Sequence, residues 1–374
     1  MPVDRSQTEV AITGIGLVTP YGGDKNVIRD AVLAGESALR WLDELPPPGT
    51  KSRGLHAGAP AKYESRFAAD PVVEMALQAA DNAVSDSGLD LTELDRNRLG
   101  CVIGTSKGAM ETYANNFRSD AGTASPGVVF PGFQPNTPAL RVSRHLDLSG
   151  PCLCPIAACA TGLQSISRGV QLIKDGYCDV VIAGSSDASL CDWAMHSFNR
   201  LGVLANNFSD PANAVRPFAE DRDGFLIGEG AAVMVLERAE DATKRSAHRY
   251  AHWLGSACGG DPTGVTQIDE SGQILAEVIR RAFDVSGVNP TNVDLLNLHG
   301  TGTIPNDVCE QNAVQQVFGD RLISTRAYKS LLGHCLGAAG SLEVAISLLD
   351  ESWSTQVKTS LGFGGHLNVA ILGR

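Results

Sequence analysis

Three side chains in this sequence are of types that together do acyl chemistry: Cys159, His299 and His334. Cys159 stands among small residues in Ala157-Ala158-Cys159-Ala160-Thr161-Gly162-Leu163. His299 opens His299-Gly300-Thr301-Gly302-Thr303, and His334 ends Lys329-Ser330-Leu331-Leu332-Gly333-His334 before Gly337-Ala338-Ala339-Gly340. A thiolate is a good nucleophile toward a thioester carbonyl, and imidazole N–H groups can hold a developing oxyanion. Gly362-Phe363-Gly364-Gly365 adds a tight loop whose N–H groups suit the same task. Each residue also has a plainer reading. Most cysteines are small buried hydrophobes, and most histidines in folded chains are hydrogen-bonded structural groups.

The elements around Cys159 sharpen the choice. Gly150-Pro151-Cys152-Leu153-Cys154-Pro155 is broken by prolines and cannot be helical throughout. Beyond the cysteine, Leu163, Ile166, Val170 and Ile173 recur at helical spacing, and Lys174-Asp175-Gly176 closes that helix. Cys159 is therefore expected at a helix N-terminus, where free amides and the dipole favour the thiolate and make it the most reactive of nine cysteines.

Elsewhere the chain alternates strands and helices. Short apolar runs predict strands at residues 10–18, 100–105, 179–184, 231–236, 293–298 and 367–372. Apolar periodicity predicts helices at 26–35, 70–87 and 272–285. Residues 118–138 read as a long loop, and the basic cluster 244–249 as a solvated helix end or link. Gly14-Ile15-Gly16 lacks the third glycine of a dinucleotide loop. The order of elements predicts an α/β protein with a soft boundary near 240–250, and no strict internal repeat is visible.

Bulk properties narrow the function classes. At 374 residues the chain exceeds one ordinary core, and 43% hydrophobic residues mark it as folded. A net charge of −12 argues against general nucleic-acid or membrane-surface binding. The cysteines are scattered, with no CxxC pair and no zinc spacing. Met1 to Glu9 lacks a signal-peptide core and no run is long enough to span a bilayer, so a cytoplasmic protein is expected.

Ala158-Cys159-Ala160-Thr161-Gly162, the His299 loop with Asn306-Asp307, Lys329-Ser330 with Gly333-His334, and Gly362-Phe363-Gly364-Gly365 occur in the order seen in β-ketoacyl-acyl carrier protein synthases. Arg216-Pro217-Phe218 through Gly228-Glu229-Gly230 is similar to that family too, as is Ile12-Thr13-Gly14-Ile15-Gly16. The resemblance runs from about residue 9 to the end and is nearest the Cys-His-His elongating enzymes and polyketide ketosynthases. It implies a thiolase fold, a five-layer α-β-α-β-α sandwich of two similar halves. Residues 1–245 would carry the cysteine and 246–374 both histidine loops, packed as one unit and usually as a homodimer.

The resemblance also implies roles. Cys159 takes an acyl group from acyl carrier protein, and malonyl-carrier protein then loses CO2 and attacks it. Backbone N–H of Cys159 and Phe363 form the oxyanion hole, with Phe363 as gate, while His299 and His334 hold the enolate. Thr301, Thr303, Phe198 and Lys107 bind substrate, the threonines through the pantetheine arm; Lys329, Asp307, Glu310 and Glu343 support the histidines. Neither cofactor nor metal is implied. The chain departs from the pattern in a shortened Glu343–Gly362 stretch, in Leu361 where Phe is common, in Gly365-His366-Leu367-Asn368, and in Lys107 where an apolar pocket residue is expected. A non-condensing partner subunit resembling chain-length factors is the alternative, which Cys159 opposes. A thiolase would need a C-terminal Cys-x-Gly that is missing.

Overall fold

The computed structural model describes residues 8–42, 51–67, 69–118 and 134–374. Most of the loop read at 118–138 lies outside the described residues, and its end belongs to a helix beginning at Thr137.

Ten strands form one hydrogen-bonded series: β1 (Val10–Val18), β2 (Leu99–Gly104), β3 (Cys152–Leu153), β4 (Val180–Asp187), β5 (Gly230–Arg238), β6 (Ala251–Gly260), β7 (Leu295–Asn297), β8 (Ser324–Arg326), β9 (Thr355–Gly362) and β10 (His366–Gly373). Their spatial order is β3-β2-β4-β5-β1-β6-β10-β9-β7-β8. In the first five strands β1 pairs antiparallel with β5 and β5 antiparallel with β4, while β4, β2 and β3 run parallel. The second five repeat this: β6 antiparallel to β10, β10 antiparallel to β9, then β9, β7 and β8 parallel. The chain is thus built from two halves of identical topology, joined where β1 pairs with β6 at Val10–Ile12.

Helices complete the layers. α1 (Pro71–Ser87) and α2 (Thr137–His145) cover the outer face of the first half, α4 (Gln273–Ser286) and α5 (Ile304–Phe318) that of the second. Between the sheets lie α3 (Thr161–Lys174) and α6 (Ala339–Leu348), packed on each other and on strands of both halves. This gives five layers, α-β-α-β-α. Every residue of α6 is buried, as a helix in the centre of a sandwich requires. Gly162 makes the close crossing possible, since a Cβ there would stand 2.5 Å from the Ser341 amide nitrogen. Three apolar cores follow the layering: one around α1, one around α4, and a central one holding Leu163, Ile166, Leu342 and Ile346.

Four of the ten strands, β3, β6, β8 and β9, were not predicted. β6 carries glycines and a cysteine in place of a clean apolar run, and β9 buries Gln356, Lys358 and Ser360 on one face. Its polar face lies inside the molecule, so apolar alternation does not mark it. The basic cluster at 244–249 lies in the link between the short helix Ala239–Lys244 and β6. The shortened stretch after Glu343 is a turn from α6 into β9, closed by the Trp353 indole N–H donating to the Ser347 carbonyl at 2.7 Å.

Candidate active site

Cys159 sits in a 3-10 turn, Ala158–Ala160, that leads directly into α3. Ala158 adopts φ 47°, and the Ala157 N–H donates to the Thr161 hydroxyl at 2.8 Å, which pins the turn. Leu336 adopts φ 45° in the corresponding turn before α6, so the two halves present equivalent corners from opposite sides. Gly362 comes so close that a Cβ there would lie 2.5 Å from the Ala157 carbonyl oxygen. That approach lets the Phe363 N–H reach the Cys159 thiol.

Burial decides the resting state of this thiol. It pushes Cys159 up to about 11, against the pull of the Lys107 and Lys329 charges and the Phe363 N–H, while Asp187 adds to the rise. Cys159 therefore rests as a thiol, contrary to the thiolate expected from its helix terminus. Cys152, by contrast, is exposed and drawn down to about 7 by a hydrogen bond from the Cys101 thiol. Alkylation of Cys159 by iodoacetamide should accelerate about tenfold per pH unit between roughly pH 7 and 9, as its thiolate fraction grows. Peptide mapping over that range checks this. A fast, pH-independent rate at Cys159 would overturn it.

His299 follows β7. Its N–H and that of Gly300 each donate at 2.7 Å to Glu310 of α5, whose carboxylate also takes the Thr359 hydroxyl at 2.6 Å. Lys329 Nζ lies 3.1 Å from His299 Nδ1, also donates to the His299 carbonyl, and reaches Glu343 of α6 at 2.6 Å. An ammonium only donates, so Nδ1 accepts and the ring proton is on Nε2. His334 is held through its backbone: its N–H donates to the Leu226 carbonyl at 2.7 Å, and its carbonyl accepts from Gly228 at 3.1 Å. Its ring meets Phe225 edge-on at 4.8 Å and His299 at 5.4 Å. Burial holds both imidazoles well below the usual histidine range, with Lys329 the next cause for each. Both are neutral N–H donors at physiological pH.

Cys159, His299, His334, Thr301, Thr303 and Phe363 line one cavity of about 380 Å³. The threonine hydroxyls are 2.8 Å apart. Asp307 accepts the Phe218 N–H at 2.8 Å and stands 3.3 Å from Arg222 Nε, bracing the loop from below. Lys107 and Phe198 are not among the lining residues. The Lys107 ammonium lies 5.9 Å over the Phe198 ring and 3.3 Å from Asp187, and Phe198 packs on Phe225 behind His334. Sequence reasoning missed Asp187, Thr359 and Lys358, all buried. Asp187 also accepts the Ser106 and Gly337 N–H groups at 3.1 and 3.2 Å, tying the end of β4 to the turn before α6. A charged residue inside a strand gives no local sign of facing inward.

A family model for the N-terminal domain of β-ketoacyl synthases matches residues 7–242, and one for their C-terminal domain matches residues 250–351. The chain belongs to the β-ketoacyl synthase family. It is 32% identical over 352 residues to 3-oxoacyl-[acyl-carrier-protein] synthase 2 of Coxiella burnetii, covering 91% of this chain and 85% of that one. It is also 32% identical over 364 residues to the tetracenomycin polyketide synthase ketoacyl synthase alpha subunit of Streptomyces glaucescens, covering 92% and 85%. Among solved structures, a ketosynthase complex described as a type II PKS acyl-carrier protein with its ketosynthase bound to the hexaketide superimposes with a TM-score of 0.88. Its identity is 26%, with 98% of this chain and 99% of that one covered. The ishigamide ketosynthase/chain length factor gives 0.87 at 27% identity, covering 98% and 99%. This β-ketoacyl synthase is a condensing enzyme of fatty-acid or polyketide-type synthesis, with a thiolase fold. Among the described residues no helix is long and apolar enough to cross a membrane, and no cluster of metal-ligating side chains occurs.

Proposed function

We propose that this β-ketoacyl synthase condenses an acyl group carried on Cys159 with malonyl-acyl carrier protein. The observation that carries the reading is the convergence of the Cys159 thiol and two neutral imidazoles on one cavity wall, one imidazole with its proton placed on Nε2 by Lys329. In the first step the Cys159 sulfur forms a bond to the acyl carbon, the bond to the pantetheine sulfur breaks, and the thiol proton leaves with the carrier thiol. The N–H groups of Cys159 and Phe363 take the transient oxyanion. Malonyl-carrier protein then loses CO2, leaving an enolate whose oxygen accepts from His299 and His334. Its carbon attacks the Cys159 thioester, the carbon–sulfur bond breaks, and the β-ketoacyl group departs on the carrier.

Thr301 and Thr303 flank the path of the pantetheine arm along the cavity. Phe363, in the turn between β9 and β10, gates it. Lys329, Glu343, Glu310 and Asp307 hold the histidine loops in place. Lys107 and Phe198 stand behind Phe225, off the cavity wall, where the Lys107 charge disfavours an apolar chain long enough to reach past that ring. The carrier-protein partner is supported by the likeness to a ketosynthase solved with its carrier. We further assign the halves to residues 1–245 and 246–374, the assembly to a homodimer and the site of action to the cytoplasm, where nine free cysteines are at home.

Incubation with malonyl-carrier protein and a series of acyl-carrier proteins, followed by intact mass of enzyme and carrier, tests this. The expected result is an acyl adduct on Cys159 that disappears on addition of malonyl-carrier protein, with a product two carbons longer. Adduct without product would leave a non-condensing partner role. A steady preference for the longest saturated chains would remove Lys107 from the acyl site.

A further inference from the structure

Lys358, in the middle of β9, is wholly buried, and nothing in the chemistry above calls for it. An ammonium in such a place persists only if it is paired and hydrogen-bonded. Its Nζ donates to Glu343 Oε2 at 2.5 Å and lies 3.4 Å from the carbonyl oxygens of Asn297 and Leu298, the two residues that precede His299. The other oxygen of Glu343 takes Lys329 at 2.6 Å. One carboxylate thus serves two ammonium groups, and one of those groups touches the His299 ring.

The remaining charged groups around His299 are already engaged. Glu310, from α5, accepts the His299 and Gly300 N–H groups, the Thr359 hydroxyl and the Asn306 amide. Asp307 is held by Arg222 and the Phe218 N–H. His334 is neutral. Lys358 adds to the forces that hold both imidazoles uncharged.

We infer that Lys358 is a positioning residue of the condensation step: by occupying one oxygen of Glu343 it prevents that carboxylate from neutralising Lys329, and so maintains a positive potential behind His299 where the enolate forms. The inference rests on the condensing role proposed for the site. Acyl transfer to Cys159 draws on that potential less directly, because no enolate forms there and the Lys329 charge comes after burial and Lys107 among the influences on the thiol. In a Lys358→Met variant, Glu343 would turn to Lys329 alone, the trio would lose its excess charge, and His299 would become easier to protonate.

Lys358→Met keeps the length of the side chain and removes its charge. The expected result is uptake of an acyl group by Cys159 within about twofold of the parent rate, with kcat for malonyl decarboxylation lowered about tenfold, KM for malonyl-carrier protein unchanged and the acid limb of the rate profile moved to higher pH. A merely structural role would slow acylation and decarboxylation together and leave the profile in place; that outcome, or an unchanged kcat, overturns the inference. Should the variant not fold, the parent decides: with [ε1-13C]histidine, the resonance lost in His299→Ala should stay neutral from about pH 8 to 5.5, and titration near 6.5 would overturn the inference. Failure of the condensing role itself shows separately, as a parent enzyme that takes acyl groups without making product.

Discussion

Cys159→Ala is expected to take no acyl group and to condense at least about 10⁴-fold more slowly than the parent, yet still to decarboxylate malonyl-carrier protein. The two outcomes separate because the groups are supplied by different elements. The sulfur stands on the turn into α3, while His299 follows β7 and His334 precedes α6. Removing a sulfur from the first turn leaves the Lys329–His299 contact and the backbone hold on His334 untouched. Alanine also fits the turn, since Ala158 and Ala160 flank the site on either side. Intact mass after incubation with acyl-carrier protein and release of labelled CO2 from malonyl-carrier protein read the two activities. Loss of decarboxylation in a folded Cys159→Ala variant would mean that the histidines do not act as an independent pair.

His299→Ala and His334→Ala are expected to show the converse. Each should still acquire the acyl adduct, and each should lose decarboxylation and condensation by about 10²- to 10³-fold, the usual effect of deleting one donor to a developing oxyanion. Both rings are buried and neutral, so each contributes an N–H donor to the enolate, and neither is set up as the base for a thiol that rests near 11. The His299 variant carries a second cost, because Lys329 loses its contact with Nδ1. His334 holds its place through backbone hydrogen bonds that alanine retains, so its variant gives the cleaner measurement. Rapid-quench acylation and steady-state condensation on each variant check this. Condensation at the parent rate in both would remove the pair from the reaction.

The likeness of the two halves leaves no repeat visible in the sequence and is plain in the sheet. Identical strand order needs only a run of residues able to pair at each position, and the pairing partners differ between halves: Val10 to Val18 is apolar but for Thr13, whereas its counterpart β6 mixes His252, Ser256, Cys258 and three glycines. Shared topology therefore does not require shared residues. Cys159 and Gly337 occupy equivalent corners, each after a residue at positive φ, and one became the proposed nucleophile while the other lets Ser106 and Asp187 come close.

The amino-acid sequence alone determined the alternation of strands and helices, the position of Cys159 at the start of a helix, and the motifs around His299, His334 and Phe363, because those depend on local spacing, on glycine and on short-range hydrogen bonding. It also supported the family assignment. Only the tertiary structure showed how deeply Cys159 is buried, which pushes its thiol up although it stands at a helix terminus, and that burial is contributed by residues distant in the chain. Only it showed Lys358, Thr359 and Asp187 turned inward, and Lys107 paired with Asp187 off the cavity wall. The physical reason is common to these cases. A charged side chain can lie inside only where partners from other elements meet it, and Lys358 meets Glu343, which also meets Lys329, across α6, β9 and the turn at 329–332.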